Sequence, residues 1–411
     1  MKINPNQQNN LETQLILDCS QTRLNSQQTA RVSNVLSESP DWDFVLNIAA
    51  KNGLLPIICW NLLQKFSDLL DPEIKNLLSQ TLQKQTKKNL FLTQQLIEVV
   101  KILEKVEIPI LPFKGTTLAM QAYGNLALRD YCDLDILIQP KHFDKAVRVL
   151  SQNGFAPIGK INRLKRNILF FNTRKDVGLV GKNEIVRIEL HWKLSGSHFA
   201  MPLEIDELWK RLETINLGGT ELYALPFNDL FIYLCLHGSR HAWEKLSWIC
   251  DLHELILTTE NSGKKINWIE VQKHAENYGC VKVLELGLFL VHEFYNLKTN
   301  FPNFEQIQNN SAYEKIAEQV KRKAFSKNKT SSNIDDWYLY HLSLKERKID
   351  QLKLHLRYFF WYLKIIFKPN SLDKSVFHLP TFLYPIYYIL RPIRLLFGYF
   401  NLDSKKKITS D

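Results

Sequence analysis

The chain has 411 residues, 45% hydrophobic and 23% charged, which is enough apolar side chain for a large core and too much for a disordered polymer. Lys and Arg number 53 against 42 Asp and Glu, a net +11, but Gln351 to Asp411 alone holds ten basic and three acidic residues, so the basicity is a C-terminal property and no whole-molecule nucleic-acid footprint. Six widely spaced cysteines without a C-x-x-C pair argue against a disulfide framework and a Cys-rich zinc ribbon, and point to a reducing compartment.

Met1 to Gln14 is polar, and no run of eighteen apolar residues escapes a charge or a proline. Neither a secretory signal nor a spanning helix is therefore expected, and a cytoplasmic protein is. Residues 1–35 read as a loosely held polar lead-in, in which Leu15 to Leu17 can start a short helix. An N-terminal helical segment follows over 36–105: Phe44, Val45, Ile48 and Ala49 keep helical spacing up to Gly53, and a long amphipathic helix is expected from Pro72 to Val106. From 106 to 200 the pattern changes to a small α/β unit. Ile108 to Phe113, with two prolines, suits a buried or edge strand ending at Lys114-Gly115. Thr116 or Thr117 is expected to cap a helix that Gly124 closes, Cys132 to Ile138 alternates as a strand, Phe143 to Leu150 is helical, and Glu184 to Leu194 alternates again.

Helices return over 201–320, at Asn228 to His237, Trp243 to Leu257 and Asn267 to Tyr295. The spacing Trp42, Val45, Ala49, Gly53 recurs at Trp268, Val271, Ala275, Gly279, an echo that either helix-turn-helix convergence or common ancestry explains. An exposed linker is expected over 321–345 and a basic, aromatic C-terminal segment over 346–411. The fold class is thus α/β (α+β), a small mixed-sheet core flanked by helical segments.

The chemistry concentrates in that core. Period two puts Asp133 and Asp135 on one strand face, about 7 Å apart. Two like charges on an apolar strand are useful together when a hard cation sits between them, and Mg²⁺ binds through one or two carboxylates plus substrate phosphates. Glu189, on the opposite face of its strand from Ile188 and Leu190 and on the same face as Arg187 and His191, is the candidate third carboxylate if the two strands pair. The turn Lys114-Gly115-Thr116 has the composition of an anion site, and Arg129, four residues before Asp133, can hold a phosphate or brace the carboxylates. Together these describe nucleotidyl transfer by two-metal in-line displacement.

The motifs Ile110-Leu-Pro-Phe-Lys114-Gly115, Tyr123-Gly124, Arg129-x3-Asp133-Leu-Asp135, Gly154-Phe155, Glu189-Leu-His191-Trp192 and His237-x3-His241-x-Trp243 resemble the uncharacterised nucleotidyltransferase family of the DNA polymerase beta-like superfamily. The resemblance implies a mixed sheet with helices, Asp133 and Asp135 as metal ligands and Glu189 as the third acidic position. The glycine turn departs from the superfamily pattern, since Lys114-Gly115 stands more than the usual dozen residues before the D-x-D.

The expected reaction moves a nucleoside monophosphate from a nucleoside triphosphate to an acceptor, with release of pyrophosphate and with Mg²⁺ (alternatively Mn²⁺) bound by Asp133, Asp135 and Glu189. Lys114, Gly115, Thr116, Arg129 and Arg240 are the candidate nucleotide contacts. The acceptor is a small molecule, peptide or protein rather than nucleic acid. The alternatives are a non-catalytic nucleotide-binding or scaffold protein that keeps the fold, and a helical interaction module. His237 and His241, at i, i+4, are read as structural, nucleotide-contacting or zinc-binding. In the tail, Tyr358, Phe359, Trp361, Tyr384, Tyr387 and Tyr388 are expected to pack on the helical domain, with contact to an anionic membrane surface as the alternative.

Overall fold

A computed structural model describes residues 5–159, 174–181, 184–194, 205–326 and 334–396. The chain forms two compact units, residues 1–344 and 345–411. In the first, helices α1 (Pro5–Cys19), α2 (Ser26–Ser37), α3 (Trp42–Lys51), α4 (Leu55–Lys65) and α5 (Pro72–Glu104) precede the sheet. The Asp41 carboxylate accepts the Phe44 N–H and so caps α3, while Pro72 presets the first turn of α5. The lead-in is not loose. The short helix that Leu15 to Leu17 could start is α1, whose Leu15, Ile16 and Cys19 are fully buried in the helical core, and Asp18 binds Arg31 at 2.8 Å.

The sheet joins β1 (Leu111–Pro112), β2 (Asp133–Leu137), β3 (Phe155–Pro157), β4 (Asp176–Gly181) and β5 (Arg187–His191) in the order β1-β2-β5-β4-β3. The strands β2 and β5 run parallel and the other pairs are antiparallel, so the sheet is mixed as expected. Helices α6 (Gly115–Tyr123) and α7 (Phe143–Gln152) fill the connections. Leu92, Leu96, Val99 and Leu103 of α5 share one core with Ile136, Ile188 and Leu190 of the sheet. The sheet therefore buries one face on a long helix.

Two local expectations change. Neither Thr116 nor Thr117 caps α6: Lys114 takes the cap position, and Thr117 Oγ1 donates to the carbonyls of Pro112 and Lys114 instead. Beyond the short helix α8 (Ile205–Trp209), where only helices were expected, β6 (Glu213–Leu217) and β7 (Thr220–Ala224) form a hairpin. Its signal in the sequence is Gly218-Gly219 between two alternating runs.

The helical part continues with α9 (Phe227–Arg240), α10 (Leu246–Asn261), α11 (Trp268–Tyr278), α12 (Val281–Tyr295), α13 (Phe304–Gln308), α14 (Ser311–Ala324) and α15 (Ile334–Ser343). The single helix expected over Asn267 to Tyr295 breaks at Gly279, whose αL conformation ends α11. Gly53 sits in the same conformation after α3, so the echo in the sequence is a shared helix–αL glycine–helix corner. The exposed linker expected over 321–345 is not one at its described ends, because Ala324, His341 and Leu344 are buried; 327–333 lie outside the described residues.

The second unit comprises α16 (Lys348–Phe367), α17 (Ser371–Phe377), a 3-10 segment Thr381–Ile386 and a helical stretch over 387–396. Of the aromatics named in the sequence, Tyr387 is buried and Phe359, Tyr384 and Tyr388 are exposed, while the unit buries the Asp373–Arg391 ion pair. No helix among the described residues is long and apolar enough to cross a membrane.

Candidate active site

The site grows from one feature of register. Because β2 and β5 pair in parallel with Asp135 opposite Glu189, the two carboxylates lie side by side on one face, with Asp133 two residues earlier on the same strand. His191, two residues after Glu189, completes the cluster: its Nε2 lies 3.1 Å from Asp135 Oδ1 and 3.3 Å from Glu189 Oε2. One ligand atom each from Asp135, Glu189 and His191 falls within 4.8 Å of the others, the one such group of His, Cys, Asp and Glu among the described residues. His237 and His241 belong to no such group of three among the described residues.

Lys114 stands at the end of β1. Its Nζ approaches Asp135 Oδ1 at 3.5 Å and lies over the rings of Tyr233 and Phe113, at 5.6 and 5.7 Å from their centroids. Burial alone pushes this ammonium down, but Tyr233, Asp135 and Asp133 outweigh it and hold it above its ordinary value, so it is charged at neutral pH. Asp135 is also buried, which pushes its carboxyl up, yet Lys114 and the His191 hydrogen bond hold it well below the usual carboxylate range. Asp133 goes the other way, pushed up by burial and then by the neighbouring Asp135 and Glu189. The His191 contact holds Glu189 down.

Gly115 begins α6 at φ +52°, and a Cβ there would stand 3.3 Å from the Asp133 carbonyl oxygen and 3.4 Å from the Tyr131 ring. Only glycine lets the helix start this close to β2.

A cavity of about 370 Å³ opens over these groups. Lys114, Gly115, Asp133, Asp135 and Glu189 line one side; Tyr233, His237, Arg240, His241 and Trp248 line the other, and Lys175 and Lys245 add charge. His237, His241 and Trp248 form a ring cluster with centroids 5.0 to 5.3 Å apart. Burial is the main cause that pushes His241 down to about 4, with Arg240 and Lys114 adding to it, and His237 is likewise held well below its usual value. Both imidazoles therefore offer neutral rings at neutral pH. Cys132, the one exposed cysteine of the six, lies beside Asp133 on the cavity lining.

Not every sequence candidate reaches the cavity with free chemistry. Thr116 is buried away from it, with its Oγ1 bonded to Tyr131 Oη at 3.2 Å. Arg129 lines the cavity, but its fork is taken: Nε and Nη2 donate to Asp251 Oδ1 and Oδ2 at 2.9 and 3.0 Å, and Tyr123 Oη donates to the same carboxylate at 2.8 Å. The loop that carries Arg129 is itself held from α5, where Asn89 Nδ2 donates to the carbonyls of Leu126 and Arg129. Sequence reasoning put His191 on the carboxylate face and gave it no role, and missed Lys175, Tyr233, Lys245 and Trp248.

A family model described as uncharacterised nucleotidyltransferase matches residues 38–296. No curated protein matches the chain.

Proposed function

We propose, from the premise that the chain belongs to the uncharacterised nucleotidyltransferase family, that it moves a nucleoside monophosphate from a nucleoside triphosphate to a small-molecule, peptide or protein acceptor and releases pyrophosphate. The observation that carries this reading is the parallel register that sets Asp135 beside Glu189 under a basic cavity. The donor set suits a divalent cation, Mg²⁺ or Mn²⁺, since two carboxylates and an imidazole converge within 4.8 Å and Asp133 stands on the same strand face. When bound, the cation would neutralise charge on the reacting phosphates.

The remaining roles belong to the chain. Lys114, charged and close to the carboxylates, receives the triphosphate, with Gly115 leaving room for the phosphate chain and Arg240 reaching in from α9. Glu189, the most exposed carboxylate of the cluster, is placed to accept the acceptor's proton or to hold the cation. With no cation bound, His191 Nε2 contacts both acids and holds their orientation, and a bound cation would replace those contacts.

One observation favours a second reading, a nucleotide binder without turnover: Lys114 and His191 both engage the same oxygen of Asp135, so the central acid is already partnered inside the protein. A screen of four nucleoside triphosphates with Mg²⁺ or Mn²⁺, read as pyrophosphate release in the presence of cell extract, separates the two. Asp133→Asn and Asp135→Asn should each lower release at least about a hundredfold with the fold intact. Tight nucleotide binding with no pyrophosphate under any condition would leave the binder.

A further inference from the structure

The second unit distributes its side chains opposite to a water-soluble fold. Of the 27 large hydrophobic side chains that stand exposed among the described residues, 18 belong to residues 345–396. Phe382, Ile389 and Phe360 are 78%, 66% and 62% exposed. What the unit buries instead is an ion cluster. Asp373 is fully buried, accepts from Arg391 Nη1 at 2.7 Å and Arg394 Nε at 2.6 Å, and Arg391 Nε donates to the Ile365 carbonyl at 2.8 Å. Leu354 and Tyr387 are its only fully enclosed large apolar side chains among the described residues. In water a small unit gains by hiding apolar surface, and burying paired charges is at best neutral. Paired charges within and hydrocarbon without is the arrangement that a lipid phase rewards.

The helix α16 shows how the unit would lie. At 100° per residue, Ile349, Leu352, Leu356, Phe359, Phe360 and Phe367 fall on one stripe, while the buried Leu354 falls on the opposite side; Arg391 reaches the Ile365 backbone carbonyl. Lys353 and Lys364 border the stripe on one flank and Lys348 on the other, where long stems can run along the apolar face and place the ammonium groups at headgroup depth. Residues 345–396 hold ten basic and three acidic residues, a net +7. This charge selects an anionic surface over a neutral one.

We propose that residues 345–396 form a monotopic membrane-docking unit that rests its apolar stripe in the interfacial layer of an anionic bilayer without spanning it. The chain is thereby a surface-bound protein, independently of what the site in the first unit transfers.

Flotation of the full-length protein with vesicles tests this. Binding to phosphatidylcholine vesicles containing about 30 mol % phosphatidylserine should exceed binding to pure phosphatidylcholine by at least about tenfold, and should weaken as salt rises from about 0.1 M to about 0.5 M. Phe360→Asp and Ile389→Asp should each cut partitioning about tenfold while far-UV circular dichroism stays unchanged, since both side chains already face outward. Lys364→Glu should reduce the preference for phosphatidylserine and leave binding to the neutral lipid unaltered. Asp135→Asn should float like the wild type, so an inactive site does not mimic a failed membrane. The proposal is overturned if the protein stays in the aqueous fraction with both lipids, if binding ignores lipid charge and these substitutions, or if Phe360→Asp instead dissociates a stable dimer that never floats.

Discussion

Arg129 shows how a residue can be picked correctly from sequence and still be given the wrong neighbours. Its place four residues before Asp133 suggests a local partner, yet its guanidinium closes on Asp251, 122 residues away, and both groups are buried or nearly so. Arg129→Lys keeps the charge and loses the planar fork, leaving the fully buried Asp251 carboxylate with a poorer partner. We expect a stability loss of about 1–3 kcal/mol in denaturant titration. Unchanged stability with a raised KM for the triphosphate would instead assign the fork to the nucleotide. His241 gives a pH prediction of definite sign. Its folded pKa of about 4 lies below the unfolded value of about 6.5, so between those two values the unfolded chain carries a proton that the folded one lacks. Stability should fall as pH drops through that window, and His241→Gln should flatten the decline in melting temperature. The two strand acids and Glu189 were legible because a period of two is fixed by covalent geometry, whereas the use of His191 was not, because its role depends on which strand lies alongside.

At the scale of elements, the helix and strand periods delivered most of the core, and the misses have identifiable causes. The hairpin β6–β7 is short, and its strands carry charged residues on the outer face, so the Gly-Gly turn is the only strong local signal. The apolar run Leu15 to Leu17 in the lead-in helix α1 is visible in the sequence, but no local pattern shows that it is buried in the helical core. The corner after α9 is built by close approach: a Cβ on Gly238 would come within 2.3 Å of the Trp243 ring, which folds back across the helix through the αL residues Ala242 and Trp243. Gly238→Ala should therefore displace Trp243 and destabilise the protein by about 1–3 kcal/mol, measured by thermal or denaturant unfolding. Since His237, Arg240 and His241 flank this corner and line the cavity, the same substitution should lower nucleotide affinity beyond its effect on stability.

Across the whole first unit, the site is an assembly of distant segments. The strand β2, the basic turn, the loop pinned by Asn89 and the wall from α9 and α10 lie more than a hundred residues apart in sequence at their extremes, Lys114 and Trp248, and no local pattern records which of them meet. The long-range pairs Tyr123–Asp251 and Arg129–Asp251 tie the sheet side of the cavity to the helical side. A ligand that bridges the two sides should hold them together and shift unfolding upward by mass action. At a free concentration of about 100 times its dissociation constant, a triphosphate with Mg²⁺ should add about 2.7 kcal/mol of apparent stability. Chelation of the cation, or Asp135→Asn, should abolish most of that shift in a thermal melt. An equal shift without the cation would mean that Lys114 and its basic neighbours suffice for binding.

The placement of Cys132 gives the site a built-in optical handle. Five of the six thiols are buried, and the remaining one lies on the cavity lining next to Asp133. A maleimide fluorophore should thus label the native protein at a single position without mutagenesis. Burial and the adjacent Asp133 push this thiol up, so the labelling should be slow near neutrality and quicken in mildly alkaline buffer, where more thiolate forms. A ligand seated over the strand acids should shield Cys132 from the reagent. Occupancy can then be followed as a footprint on one sulfur atom, even before any acceptor is identified.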